Sequence, residues 1–267
     1  MPSYVFCEKG SFVSNFKSLK KPRLSQEVER AIKDSIAEGL YKAGEKLPSE
    51  RELVDSFQVS RVTIREALKN LQNSGLIAIK RGMNAGAYIS EPTAEPITEN
   101  FDNLIRLGKI DYSHLLDARL YFEPRAAEIA ARYRTLADIA RLKNLLDSAE
   151  EQMESSRREA RLKNVSFHCE VAKITENPII LFITESITQS YSALIIEKTR
   201  AHINHSTIST FIAEHRNILD AIEKKDPSEA FERTRRHLFS TYLTYAQVAP
   251  DECETEIGFR IRQDFEC

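Results

Sequence analysis

Cysteine is scarce in this 267-residue chain, and the four present, Cys7, Cys169, Cys253 and Cys267, are widely scattered. No two stand in a CxxC pair, so neither a disulfide framework nor a thiolate metal cluster is expected, and all four read as incidental free thiols. Long apolar runs are missing as well: none approaches the roughly 18 residues of a membrane span. No basic stretch followed by an apolar block and small cleavage residues opens the chain as a signal peptide. A cytoplasmic protein with no membrane partner is therefore expected. Its length suits one large or two ordinary domains, and 42% apolar residues suffice for real cores.

What is present is concentrated in residues 47–89, LPSERELVDSFQVSRVTIREALKNLQNSGLIAIKRGMNAGAYI. Ser49, with Glu52 three residues on, forms a capping-box pattern that starts a helix. Leu53, Val54 and Phe57 share one face of it. Gln58, Val59 and Ser60 break the period, and Ser60 offers a second cap for a helix over 61–73. Ile64, Leu68 and Leu71 must face inward, which turns Arg61, Thr63 and Arg65 outward near the start of that second helix. Two short helices with a tight turn, the second polar at its tip, fit the major groove of DNA. Arginine there can bond guanine in a bidentate way, and hydroxyls and end amides can hold phosphates. After Gly75, residues 76–79 and 87–89 flank a polar turn, which reads as a β-hairpin wing with a basic tip. The plainer alternative is a small helical core piece with solvated charges; the wing and the outward basic residues favour DNA.

These residues resemble the winged helix-turn-helix of the GntR family of bacterial transcription regulators, without gaps from about Leu24 to Ile89. By position, the resemblance implies that Arg51, Ser60, Arg61, Thr63, Arg65 and the wing glycine Gly82 contact DNA. Arg81 precedes that glycine where the family often carries a basic or polar residue. Val62 departs from relatives with threonine there, which implies that one phosphate or base contact is not to be expected. Charge agrees: residues 17–92 carry 14 Lys and Arg against 10 Asp and Glu, a net of +4. Residues 93–248 carry 21 against 23, and residues 249–267 carry 2 against 6. The modest basic excess suits salt-sensitive, dimer-assisted binding.

In chain order, residues 1–20 read as an extension, 21–90 as the winged domain scaffolded by the stripe Leu24, Val28, Ile32, Ile36 and Leu40, and 91–97 as a linker. The two prolines Pro92 and Pro96 argue against helix there. Beyond it everything reads as helix, over 97–107, 113–133 with Pro124 as a kink, 135–157, 159–175, 178–202, 208–224 and 227–247. These should pack as one antiparallel bundle over 98–248, where ligands and metals sit between facing helices. Residues 249–267 are acidic and short of pattern, and a mobile or loosely docked tail is expected. The fold class is thus mainly α: a winged helix-turn-helix followed by an all-α antiparallel bundle.

Within the bundle Asn164 and His168 are four apart and share a helix face, while His215 and His237 fall on the last two helices. Three imidazoles and an amide can converge, although a single histidine is more often a hydrogen-bonded core or surface residue. His114, His202 and His205 lie near helix ends and are assigned to that plainer role. The stretches LLDARLYFEPRAAEIAA, NVSFHCEVAKITENPII and EHRNILDAIEKKDPSEAFERTRRHL are similar to the FCD effector domain of the FadR subfamily of GntR regulators. That resemblance implies a divalent metal on Asn164, His168, His215 and His237, zinc or nickel by the preference of imidazole ligands. Asn164 stands where the family usually has aspartate, so a ligand charge is lost and affinity should fall. It also implies that Arg119 takes the carboxylate of a small organic acid through its planar fork; the alternative is a solvated arginine paired with Glu123.

The expected function is a homodimeric regulator, not an enzyme, that binds a short palindromic DNA operator under control of a small carboxylate effector and a divalent metal. Two alternatives stand beside it: a metal-dependent hydrolase using the three histidines, and the same regulator with a metal-free pocket.

Overall fold

The computed structural model describes residues 23–199, 202–248, 250 and 253–266. The extension expected over 1–20, Cys7 and Cys267 lie outside the described residues. The chain divides into two units, Met1–Pro92 and Thr93–Cys267.

In the first unit, helices begin where the sequence supplies caps. Ser49 Oγ accepts from the Glu52 amide at 3.3 Å while the Ser49 amide donates to the Glu52 carboxylate at 2.7 Å. Two amides that no helical carbonyl can reach are satisfied reciprocally, and α2 (Glu50–Phe57) follows α1 (Leu24–Ala37). Gln58 then takes a left-handed conformation, φ 53°, which ends α2 within one residue. Ser60 accepts from the Thr63 amide at 3.2 Å and starts α3 (Arg61–Asn73). The wing is β1 (Ile77–Lys80) antiparallel to β2 (Gly86–Ile89), with Ile77 opposite Ile89. Residues 44–47 join its other edge, with the Leu47 amide donating to the Ala87 carbonyl at 2.8 Å and the Ile89 amide to the Glu45 carbonyl at 2.8 Å. Val28, Ile32, Leu53, Ile64, Leu68, Leu71, Ile77 and Ile89 meet in one core. Leu24 and Leu40, the ends of the stripe read for α1, are exposed instead.

The second unit consists, among the described residues, of α4 (Glu95–Arg106), α5 (Tyr112–Tyr133), α6 (Leu136–Gln152), α7 (Arg157–Lys173), α8 (Pro178–Lys198), α9 (His205–Glu223), α10 (Pro227–Val248) and α11 (Glu256–Glu266). α10 packs on α5 and α9, α7 lies between α6 and α8, and α4 lies along α8. Helix α4 starts at Glu95, inside the stretch read as a non-helical linker. Pro96 is accommodated in its first turn, where the missing N–H would have had no partner anyway. Pro124 likewise sits inside α5.

One helix bears on the absence of long apolar runs, and the reading of the tail needs correction. Residues 178–196 make a helix long and apolar enough to cross a membrane by length and composition, with a mean hydropathy of 1.5. Its apolar residues are not contiguous, because Thr184, Ser186, Thr188, Ser190 and Ser192 interrupt them and are buried. It packs as a core helix against α4, α5 and α7. The acidic tail is not patternless either. Ile257, Ile261 and Phe265, spaced at i, i+4 and i+8, join the larger bundle core. Phe265 stacks on Phe239 at 4.1 Å, and the Tyr242 hydroxyl donates to the Cys253 carbonyl at 3.0 Å. The acidic residues mask a normal amphipathic helix.

Ile261 is buried, so Ile261→Ala is expected to destabilise the helical unit by about 2 to 5 kcal/mol. Urea unfolding followed by circular dichroism measures it, and an unchanged midpoint would show that α11 contributes nothing.

Candidate functional site

Arg51, Ser60, Arg61, Arg65, Arg81 and Gly82 are exposed in the first unit, and Thr63 is half-buried. The Thr63 hydroxyl lies 2.8 Å from Ser60 Oγ, so this pair already serves the cap of α3. Arg65 rests on Glu50, Nε to Oε2 2.9 Å, with both side chains well exposed. Such a surface pair contributes little and yields readily to a phosphate or a base edge. Gly82 at the wing tip has φ 90°, a conformation that disfavours any side chain. One lysine escaped the sequence reading: Lys46 lies over the Tyr88 ring at 5.8 Å, and Lys80 of the basic wing tip lies over the same ring at 4.3 Å.

In the second unit Asn164 and His168 on α7, His215 on α9 and His237 on α10 are all buried, none more than 4% exposed. One ring nitrogen from each of the three histidines lies within 4.8 Å of the others. Phe167 stacks on His215 at 4.6 Å and Phe211 meets His237 edge-on at 6.2 Å, so apolar rings wall the cluster. Each histidine also has a partner at Nδ1. His168 Nδ1 is 2.8 Å from Glu123 Oε2, His237 Nδ1 is 2.7 Å from Glu214 Oε2, and His215 Nδ1 is 2.7 Å from Asn164 Oδ1.

Those oxygens accept and cannot donate, so the rings carry their protons on Nδ1. Burial pushes His168 down to about 4, against the opposing pull of Glu123. Burial, with His237 and His168 alongside, holds His215 well below the ordinary histidine range. At neutral pH the Nε2 atoms of these two rings are therefore bare lone pairs, yet they stand 3.0 Å apart. Two ring nitrogens at that distance can be shared by one cation. The donor set fits a divalent metal ion, and zinc and nickel accept imidazole nitrogen readily. Cys169, beside His168, offers no thiolate, because burial pushes it up to about 12.

Arg119 does not stand open to a ligand. It is buried and donates to Glu123 through Nε at 2.6 Å and a terminal nitrogen at 3.2 Å. Its guanidinium lies 4.4 Å over the Tyr191 ring. Burial alone would raise the Glu123 carboxyl, but Arg119 and His168 overcome that and bring it to about 2. The Arg119 guanidinium is held charged by the same pairing, despite its burial. Arg119, Glu123 and His168 thus form one chain of charge-assisted hydrogen bonds.

A profile described as "Bacterial regulatory proteins, gntR family" matches residues 24–87, and one described as "FCD domain" matches residues 114–240. This chain belongs to the GntR family. Among proteins similar to this GntR regulator, the "Exu regulon transcriptional regulator" of Escherichia coli is 30% identical over 87% of this chain and 88% of its own. The "HTH-type transcriptional repressor NanR" of Cronobacter sakazakii is 34% identical over 85% and 87%. The "Uxu operon regulator" of Haemophilus influenzae is 32% identical over 79% and 77%. Among solved structures, Streptococcus agalactiae GntR superposes with a TM-score of 0.61 and 28% identity, covering 81% of this chain and 98% of that one. The protein is a transcriptional regulator with an FCD domain, and neither its domains nor these relatives are enzymes. Members of the family bind DNA and small-molecule effectors.

Glu214, and the tie of Glu123 to His168, were not read from the sequence. Glu214 follows no spacing relative to His237, and Glu123 reaches α7 only across the bundle. Removing one partner of the buried ion pair strands the other charge. Glu123→Gln is expected to cost about 3 to 5 kcal/mol of stability, and the double variant Arg119→Met/Glu123→Leu should recover most of it. Thermal unfolding of the three proteins decides the matter; equal losses in single and double variants would refute the pairing argument.

Proposed function

We propose that this GntR regulator binds a short palindromic operator as a cytoplasmic homodimer, and that a small organic acid, held with the help of zinc or nickel in the FCD domain, controls that binding. Two recognition helices α3, one from each subunit, would enter successive major-groove segments. Arg61 and Arg65 would read base edges; Arg51, Ser60, Thr63, Arg81 and Gly82 would position the domain on phosphates. The observation that carries the effector half of the reading is the cluster of three buried imidazoles, one ring nitrogen of each within 4.8 Å of the others. His168, His215 and His237 would hold the metal, and an ion bound there would supply a Lewis-acidic position for a carboxylate oxygen. Arg119 already gives Nε and one terminal nitrogen to Glu123, so its two-pronged face is not free for an acid. The carboxylate is therefore assigned to the metal, and Arg119 to holding Glu123 and, through it, His168. Control requires only that the acid bind one DNA-competence state of the dimer more tightly than the other.

Arg65→Ala should weaken operator binding by about 1 to 3 kcal/mol at matched salt. Fluorescence anisotropy with a labelled operator measures this, and unchanged affinity would remove Arg65 from the reading surface. Zinc or nickel should raise the unfolding temperature of the full chain, since an ion at about 100 times its Kd stabilises by about 2.7 kcal/mol. His168→Ala should abolish the rise. Elemental analysis of protein purified without chelator provides the parallel check, and absence of metal in wild type under both measurements would leave the effector pocket metal-free.

A further inference from the structure

From the hydrogen bonds around the histidine cluster we infer that Asn164 is not a metal ligand in this chain but the positioning residue that fixes the tautomer and orientation of His215. The inference rests on the metal reading above. Asn164 Oδ1 lies 2.7 Å from His215 Nδ1, while the same ring's Nε2 lies 3.0 Å from His168 Nε2. The bonds that leave the two nitrogens of one imidazole point to nearly opposite sides of the ring. An atom hydrogen-bonded at Nδ1 and an ion bound at Nε2 therefore cannot touch each other.

The choice between the two nitrogens is made by the neighbours. His168 commits its Nδ1 to Glu123, so only its Nε2 is free for an ion, and that atom faces His215 Nε2. Were His215 to bind the ion through Nδ1 beside Asn164, His168 would be left outside the site. With Nε2 as the donor, all three histidines share one pattern: Nε2 inward, and Nδ1–H given to Glu123, Asn164 or Glu214. The hydrogen bond at one ring nitrogen sets which nitrogen binds metal, and such partners typically change metal affinity 10- to 100-fold. The amide thus does at His215 what the carboxylates do at the other two rings. The protein ligands are then three neutral imidazoles, which leaves the ion's full charge to attract an anionic ligand.

Full-length protein labelled with 15N at histidine, titrated with zinc and read by long-range 1H–15N correlation, tests this. Single substitutions of the three histidines assign the rings. The expected result is one zinc per chain, three shifted Nε2 signals, and a His215 Nδ1 that keeps its proton. Asn164→Ala should weaken zinc about 10- to 100-fold and disturb the His215 Nδ1–H signal while leaving the three Nε2 shifts and the stoichiometry in place. Asn164→Asp, which keeps an acceptor of the same length, should retain the Nδ1–H signal, and it carries the test should the alanine variant fail to fold. A metal-bound Nδ1 at His215, or an Nδ1–H signal indifferent to Asn164→Ala, overturns the inference but leaves the metal reading standing. No histidine shift with zinc overturns the metal reading itself, and the inference falls with it.

Discussion

A cluster of three buried imidazoles, with the polar groups that hold each ring, is the constraint around which the helical unit is organised. His168 Nε2 and His215 Nε2 stand 3.0 Å apart, with His237 alongside, in a setting walled by Phe167 and Phe211. A single cation among the three rings would satisfy their inward nitrogens together. Keeping the rings aimed inward requires a partner behind each one, and Glu123, Asn164 and Glu214 supply them from α5, α7 and α9. The site therefore depends on four helices at once, α5, α7, α9 and α10. A slip of one helix by a turn would leave a ring without its acceptor or a carboxylate without its cation.

This explains why the bundle tolerates a fully buried arginine and glutamate. Taking two charges out of water is expensive, and an apolar pair of similar volume is often at least as stable. Arg119 and Glu123 make sense through what they hold. The arginine keeps the carboxylate ionised in a place where burial would otherwise protonate it. The ionised carboxylate then accepts a hydrogen bond from His168 Nδ1–H, which leaves Nε2 without a proton. Around this polar centre the bundle is otherwise ordinary, with apolar clusters on both sides and α11 closing one of them.

The DNA-reading unit follows a different logic, because its determinants are local. Its caps, its turn and its inward leucines and isoleucines are all set within a few residues of one another. The outward turn of Arg61 and Arg65 could thus be read from the sequence, and both are exposed, while Thr63 is half-buried. Lys46 was missed because the short segment over 44–47 carries no alternating pattern, and its place beside Tyr88 comes from pairing with a strand forty residues away. The last helix was missed for the opposite reason. Its apolar period is clear, but four acidic residues in the described segment 253–266 drew the reading toward a tail.

By itself the sequence determined what depends on neighbours along the chain: helices and their starts, the turn before α3, the wing, and the presence of three histidines and an asparagine on inward helix faces. Those follow from periodicity and capping, which act over one or two turns. Only the tertiary structure decided which nitrogen of each ring faces inward, that Glu123 and Glu214 stand behind two of them, and that Arg119 is occupied by Glu123. Hydrogen-bond direction and desolvation between residues on different helices set those, and no spacing along the chain encodes either. Asn164 shows the division most clearly. Its position on the face of His168 is a matter of helical period, but whether its amide meets an ion or a ring proton depends on how α9 lies against α7.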